Sequence, residues 1–258
     1  MRIAPSGLLL LIVAVPALSF AAAANHPQGF SGNVGLGFSN STGTSQALSI
    51  NTEDALYWLR GPWSNDAKLA YNYASTSGIV SADRLAIDNT TKYLFDENTY
   101  AFGQLNYVRN HFDGYFYRVD ESAGIGHYLY PAANMRLALE AGVGAREAHR
   151  IGYAAELNPV AQLSAKYRWQ ISKGARLTEG VEALLAPNGA NTYQSLLAVD
   201  TPLLGSLGMR FSFLASYNTQ VPTGYKPLNT LTAVNLVYHL CEELTQSPAP
   251  VAFLQFFL

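Results

Sequence analysis

The residues best suited to chemistry in this chain are charges set at even spacings. Arg136 and Glu140 fall in the stretch MRLALEAGVG, Met135 to Gly144. There Met135, Leu137, Leu139, Ala141 and Val143 alternate with Arg136, Ala138, Glu140, Gly142 and Gly144. Successive side chains of a strand point to opposite faces, so an extended chain puts both charges on one face and the apolar residues on the other. The same parity gathers Lys68, Arg84, Asp88, Lys92, Arg118, Asp120, Lys166 and Arg168 onto polar faces of other stretches, beside a glycine patch at Gly124, Gly126, Gly142 and Gly144. A wall carrying charges of both signs can line a narrow solute path, as charged rings do in selective pores, or it can pair internally into a polar plug. Both readings stand at this level.

Other chemistry finds less support. For catalysis the best fragment is His111-Phe112-Asp113, with Asp120 and His149 as neighbours to consider, because a general base needs a carboxylate or similar partner. The acidic pairs and the His-x-Ser strand motif of barrel proteases and lipid hydrolases are missing, so these residues read as loop polars and the protein as no enzyme. His26, His111, His127, His149 and His239 show no metal-ligand spacing. Gly35-Leu36-Gly37 and similar runs precede no helix, so they are not nucleotide loops. No cofactor and no metal are expected.

The elements that must carry these charges are strands. Gly, Asn, Pro and Asp clusters divide residues 29 to 240 into about twelve extended segments, and none shows sustained helical spacing. Met209, Phe211, Phe213, Ala215 and Tyr217 alternate with Arg210, Ser212, Ser216 and Asn218; Ala161, Leu163, Ala165, Tyr167 and Trp169 alternate with Gln162, Ser164, Lys166 and Arg168. Connections after even segments are tight, as at Gly61-Pro62, Pro131-Ala132-Ala133 and Gly205-Ser206, while those after odd segments tend to run longer, as in SNSTGTS, REAHRIGYA and TQVPTGYKP, with STSG at Ser75 and PNGA at Pro187 the shorter exceptions. Pairing across the Pro131 turn sets Tyr128 opposite Arg136 and Gly126 opposite Ala138. Aromatics cluster at both ends: Trp58, Trp63, Tyr93, Tyr100 and Trp169 near the tight turns, Phe38, Tyr73, Tyr107, Tyr115 and Tyr217 near the loops. Short turns at one end, long loops at the other and two aromatic bands describe an up-and-down membrane barrel. Asp54, Glu121 and Glu179 break the pattern by falling on apolar faces, which implies a bulge or an interfacial depth at each.

Composition agrees. Charged residues are 13% of the chain, about half the usual share, against 16 Tyr and 21 Gly. The net charge of −2 excludes a basic nucleic-acid surface, and the single Cys241 excludes an internal disulfide. Arg2, the apolar run Leu8 to Val15 and Ala22-Ala23-Ala24 form an export signal cut before Asn25, too short to serve as an anchor. No later run reaches the length of a membrane helix.

Several stretches together resemble the salt-induced outer-membrane protein family of YdiY-like barrels: FSGNVGLGFSNSTGTSQ from Phe30, WSNDAKLAYNYASTSG from Trp63, SADRLAIDNTTKYLFDENTYAFGQLNYVRNHFDG from Ser81, YRVDESAGIGHYL from Tyr117, LALEAGVGAR from Leu137 and LNTLTAVNLVYHL from Leu228. The resemblance implies an outer-membrane barrel with periplasmic termini and no assigned catalytic residues. One departure is the tail CEELTQSPAPVAFLQFFL after Leu240, where relatives tend to end on the final strand.

The expectation is therefore an all-β chain. Residues 1–24 are a signal peptide, 25–240 a single up-and-down antiparallel transmembrane β-barrel of about 12 strands, and 241–258 a C-terminal tail. Expected partners are outer-membrane lipid and lipopolysaccharide, the barrel-assembly machinery during insertion and a small solute, with no nucleic acid. Three functions follow in order: non-enzymatic support of the envelope under salt or osmotic stress, a narrow solute channel, and an outer-surface hydrolase.

Overall fold

A computed structural model describes residues 29–41 and 47–240. The expected signal peptide and C-terminal tail lie outside the described residues. The strands are β1 (Gly29–Ser41), β2 (Ala47–Arg60), β3 (Trp63–Thr76), β4 (Ile79–Leu94), β5 (Thr99–Asn110) and β6 (Tyr115–Ala132). They continue as β7 (Met135–Arg150), β8 (Ala155–Gln170), β9 (Arg176–Leu185), β10 (Thr192–Leu204), β11 (Leu207–Asn218) and β12 (Leu228–His239). Each pairs antiparallel with its neighbours in sequence, and β12 returns to β1, so the sheet closes into a twelve-strand barrel. Strands of 10 to 18 residues are long enough to cross a bilayer at a tilt. Among the described residues no helix is long and apolar enough to cross one.

The two faces are inverted relative to a soluble barrel. Leu36, Ile125, Val143 and Leu157 are more than half exposed on the outside, whereas Asp88, Glu140, Lys166 and Arg210 are buried within. An apolar belt outside and a polar filling inside is the arrangement of a membrane-spanning barrel. At the tight-turn end Trp63, Tyr93 and Phe95 stack edge to face on the outside, at 4.8 and 5.6 Å between ring centroids; Tyr193 and Tyr217 pair at the other end, at 6.4 Å. Tyr100 and Tyr115, expected in these bands by position along the strand, face inward and are buried. Parity, not depth, decides their side.

Some local expectations are corrected. The sequence suggested a turn over Pro131-Ala132-Ala133, but β6 runs through Pro131 and turns at Ala133-Asn134, with Ala132 opposite Met135. A bulge between Leu129 and Ala132 then sets Tyr128 opposite Ala138 and Gly126 opposite Glu140, two residues from the expected register, in which Tyr128 opposes Arg136. An even shift leaves every side chain on its face. The loop contrast is also narrower than the sequence implied, since β7 extends to Arg150; the short STSG connection is, as expected, tight, with Ser77 and Gly78 both at positive φ as a two-residue hairpin turn requires. No register shift occurs at Asp54, Glu121 or Glu179. Asp54 lies between Val34 and Leu69, and Glu179 next to Tyr167.

The inward glycines mark where the wall is tightest. A Cβ on Gly126 would collide with the Tyr100 ring, and one on Gly144 with the backbone of Glu121. Outward Gly103, by contrast, has nothing within 4 Å of where its Cβ would sit. Gly144→Ala is expected to lower the unfolding free energy by about 1–3 kcal/mol through forced displacement of β6, while Gly103→Ala stays within about 0.5 kcal/mol. Denaturant titration in lipid vesicles checks both, and equal midpoints for the two variants would refute the tight-wall account.

Candidate functional site

The lumen wall is assembled by alternation alone. In β7, Arg136, Ala138, Glu140, Gly142, Gly144 and Arg146 face inward, and the polar parity of β3, β4, β6 and β8 supplies their partners. Glu140 accepts hydrogen bonds at Oε1 from Lys92 Nζ at 3.0 Å and Tyr100 OH at 2.8 Å. At Oε2 it accepts from Lys166 Nζ at 2.5 Å and Ser164 Oγ at 2.9 Å. One carboxylate thus ties β4, β5 and β8 to β7. Lys92 also sits 4.2 Å from the centre of the Tyr100 ring, and the Arg136 guanidinium 4.7 Å from that of Tyr128, so both cations rest on aromatic faces.

A second set crosses the barrel. Gln104 on β5 donates to Asp88 on β4 at 3.0 Å, and Gln162 on β8 donates to Gln104 at 2.9 Å and to Glu182 on β9 at 3.0 Å. Ser122 on β6 donates to Gln162 as well. Lys68 pairs with Asp66 at 3.8 Å on the same strand. A third set closes the barrel seam from inside. Arg210 on β11 pairs with Asp200 on β10 at 2.6 Å and reaches Glu53 on β2 at 3.7 Å; Ser212 donates to Glu53 at 3.2 Å. β12 and β1 lie between: Asn235 on β12 faces inward opposite Arg210, and Gly37 on β1 leaves room for the Asn235 amide.

Nearer the loops, Asp120 bridges Arg118 at 3.1 Å and Arg146 at 2.5 Å. Arg146 continues to Thr192 at 3.0 Å and Arg118 to Asn218 at 3.1 Å, which joins β6 and β7 to β10 and β11 across the lumen. Apolar residues also meet here: Ala70, Ala86 and Val108 pack with Leu196 and Leu214 from the facing wall. Buried charges survive when they are paired and hydrogen-bonded, and each of these sets provides both.

Eight of the ten residues singled out by parity, Lys68, Asp88, Lys92, Arg118, Asp120, Arg136, Glu140 and Lys166, are buried on the inner wall. Arg84 and Arg168 are half-buried on it. Parity alone did not single out Glu53, Asp200, Arg210, Glu182 or the Gln104–Gln162 bridge, although the same alternation places them inward. The signal was available for Arg210, which opposes Met209 and Phe211; its partner on β2 is 157 positions away. The catalytic fragment is divided: Asp120 is committed to two arginines inside, while His111 and His149 stack on exposed Phe116 at 5.6 and 4.9 Å between ring centroids. Among the described residues no cluster of three His, Cys, Asp or Glu is arranged to hold a metal.

Comparison with known proteins gives a family and a set of distant shapes. A family model described as "Protein of unknown function, DUF481" matches residues 34–240. The chain is similar to "Uncharacterized protein YdiY" of Escherichia coli (strain K12), 23% identical over 198 residues, or 75% of this chain and 76% of that one. Among solved structures it is similar to the NanC porin, with TM-score 0.47 and 8% identity over 81% of this chain and 97% of that one. It is likewise similar to the COG4313 outer membrane channel from Pseudomonas putida F1, with TM-score 0.45 and 13% identity over 84% and 96%.

The arrangement around Glu140 predicts a strong asymmetry between removing one charge and removing all three. Glu140→Ala strands two buried lysines and is expected to cost about 3–5 kcal/mol of unfolding free energy. The combination Glu140→Leu, Lys92→Met and Lys166→Met should recover most of that loss, because neither lysine is left buried without its carboxylate. Equilibrium unfolding in lipid vesicles measures the difference; a triple variant as unstable as the single one would contradict it.

Proposed function

The chain belongs to the DUF481 family, and from that premise and its filled lumen we propose that it is a non-enzymatic outer-membrane barrel closed to ions at rest. The observation that carries this reading is the set of contacts spanning the lumen, from Lys92 and Lys166 on Glu140 to Arg146 on Thr192 and Arg210 on Glu53. A twelve-strand barrel is wider than one filled by ordinary side chains alone, so long charged residues must bridge it. They do so at several depths.

In this proposal both termini face the periplasm, the apolar belt meets outer-membrane lipid and lipopolysaccharide, and the barrel-assembly machinery inserts the chain. Support of the envelope under salt or osmotic stress fits a lumen held by buried ion pairs. At 0.1 M salt exposed charges more than about 10 Å apart are largely screened, whereas buried pairs are affected far less, so the plug keeps its strength when the medium changes.

Planar-bilayer recording of the purified full chain tests the closed lumen. The wild-type protein is expected to give no steady unitary currents at low applied voltage, and Glu140→Ala to give openings as the Lys92 and Lys166 bridge is lost. Steady wild-type currents whose ion selectivity changes on neutralising Arg136 and Glu140 would establish the channel reading instead.

A further inference from the structure

The filling of the lumen stops short of the loop end. A cavity of about 190 Å³ lies there, on a floor of Val108, Leu214 and Leu231 that belongs to or packs on the apolar cluster crossing the barrel. Its volume suits a small organic molecule. The walls are polar: Arg84, Arg118 and Asp113 bring charge, and Asn72, Asn110 and Asn229 bring amides.

The charges in this space are unequally committed. Arg118 is engaged by Asp120 at 3.1 Å and by Asn218 at 3.1 Å. For Arg84 no described carboxylate lies within 4.0 Å, and the charges acting on it are Asp113 and Arg118. Burial raises the Asp113 carboxyl above its ordinary value, against the pull of Arg84 and Arg118. Asn229 Nδ2 adds a buried donor with no partner among the described residues. A half-buried guanidinium without a close counter-ion and an orphan amide, both lining one cavity, call for an acceptor from outside the chain.

We propose that this cavity binds a small organic carboxylate, with Arg84 as its counter-ion, Asn229 as a neutral donor and the Val108, Leu214 and Leu231 floor against its carbon skeleton. A planar guanidinium matches a carboxylate with two parallel hydrogen bonds. One uncommitted cation beside Asp113 suits a single negative charge better than the higher charge of phosphate. The apolar floor favours a ligand with carbon on the side away from its charge. The site goes beyond the closed-lumen reading and does not depend on it, since occupancy of the cavity can be measured without conductance.

The test is isothermal titration of the full-length barrel in detergent micelles with butyrate, with butyramide and inorganic phosphate as comparison probes. Butyrate is expected to bind saturably and butyramide not to bind. Arg84→Gln should weaken butyrate about tenfold or more, and Arg84→Lys should weaken it less. Asp113→Asn should tighten it about threefold by removing the opposing charge, a gain that a misfolded barrel cannot produce. Slower gel mobility on boiling verifies that each variant forms a closed barrel. Equal affinity in wild type and Arg84→Gln, or butyramide binding as well as butyrate, would overturn the site. Phosphate binding more tightly than butyrate would overturn the carboxylate assignment.

Discussion

Glu140 is the constraint around which this barrel is built. A carboxylate buried among strands is tolerated when its charge is balanced and its oxygens are bonded, and here Lys92, Lys166, Tyr100 and Ser164 provide both from three other strands. In a soluble protein an apolar core would do this work at lower electrostatic cost. A membrane barrel has already turned its apolar side chains toward lipid, so the interior must be filled with what remains. The consequence is a core in which geometry, rather than apolar area, sets stability: each long side chain must reach one partner at one distance.

That requirement explains the glycines. Tyr100 reaches Glu140 at 2.8 Å because its ring lies over Gly126, where any side chain would collide with it, and Phe102 lies similarly close over Gly142. Gly124 and Gly144 let the backbones of β6 and β7 approach more closely than a Cβ would allow. Glycine normally weakens a strand by adding conformational entropy to the unfolded chain and by leaving no side chain to pack. In this wall the loss is offset by the aromatic rings that occupy the vacated space and by the hydrogen bond that one of them completes. The seam between β1 and β12 follows the same logic, with Gly37 leaving room for the Asn235 amide opposite Arg210.

The division into twelve strands and the face of each residue were legible in the sequence because strand parity survives small errors. The β6–β7 register was misplaced by two residues at Pro131, yet Arg136, Glu140 and Arg146 still faced inward, since an even shift changes partners and not sides. Partners were not legible. Arg210 and Glu53 lie on strands separated by the closing seam, and Gln104 meets Gln162 across the lumen; both pairings depend on strand number, tilt and stagger of the whole barrel. Tyr100 and Tyr115 were misread for a related reason: position along a strand gives depth in the membrane, and an aromatic at interfacial depth can still point inward.

The filling is also graded along the barrel axis, and the sequence shows why. Where Lys92, Lys166, Gln104, Gln162 and Arg210 face inward, long side chains from opposite walls meet and the space closes. Toward the loops, β3 and β4 turn in Asn72, Ala82 and Arg84, while β11 and β12 turn in Ser216 and Asn229. These are shorter residues except for Arg84, and they cannot span the same width, so the lumen opens above the level at which Val108 meets Leu214. A barrel cross-section changes little from one layer to the next, whereas side-chain length changes abruptly. The boundary between plug and cavity is therefore set by side-chain choice alone, and a few substitutions of small for long residues along β3, β4 or β11 would move it up or down the axis without altering the fold.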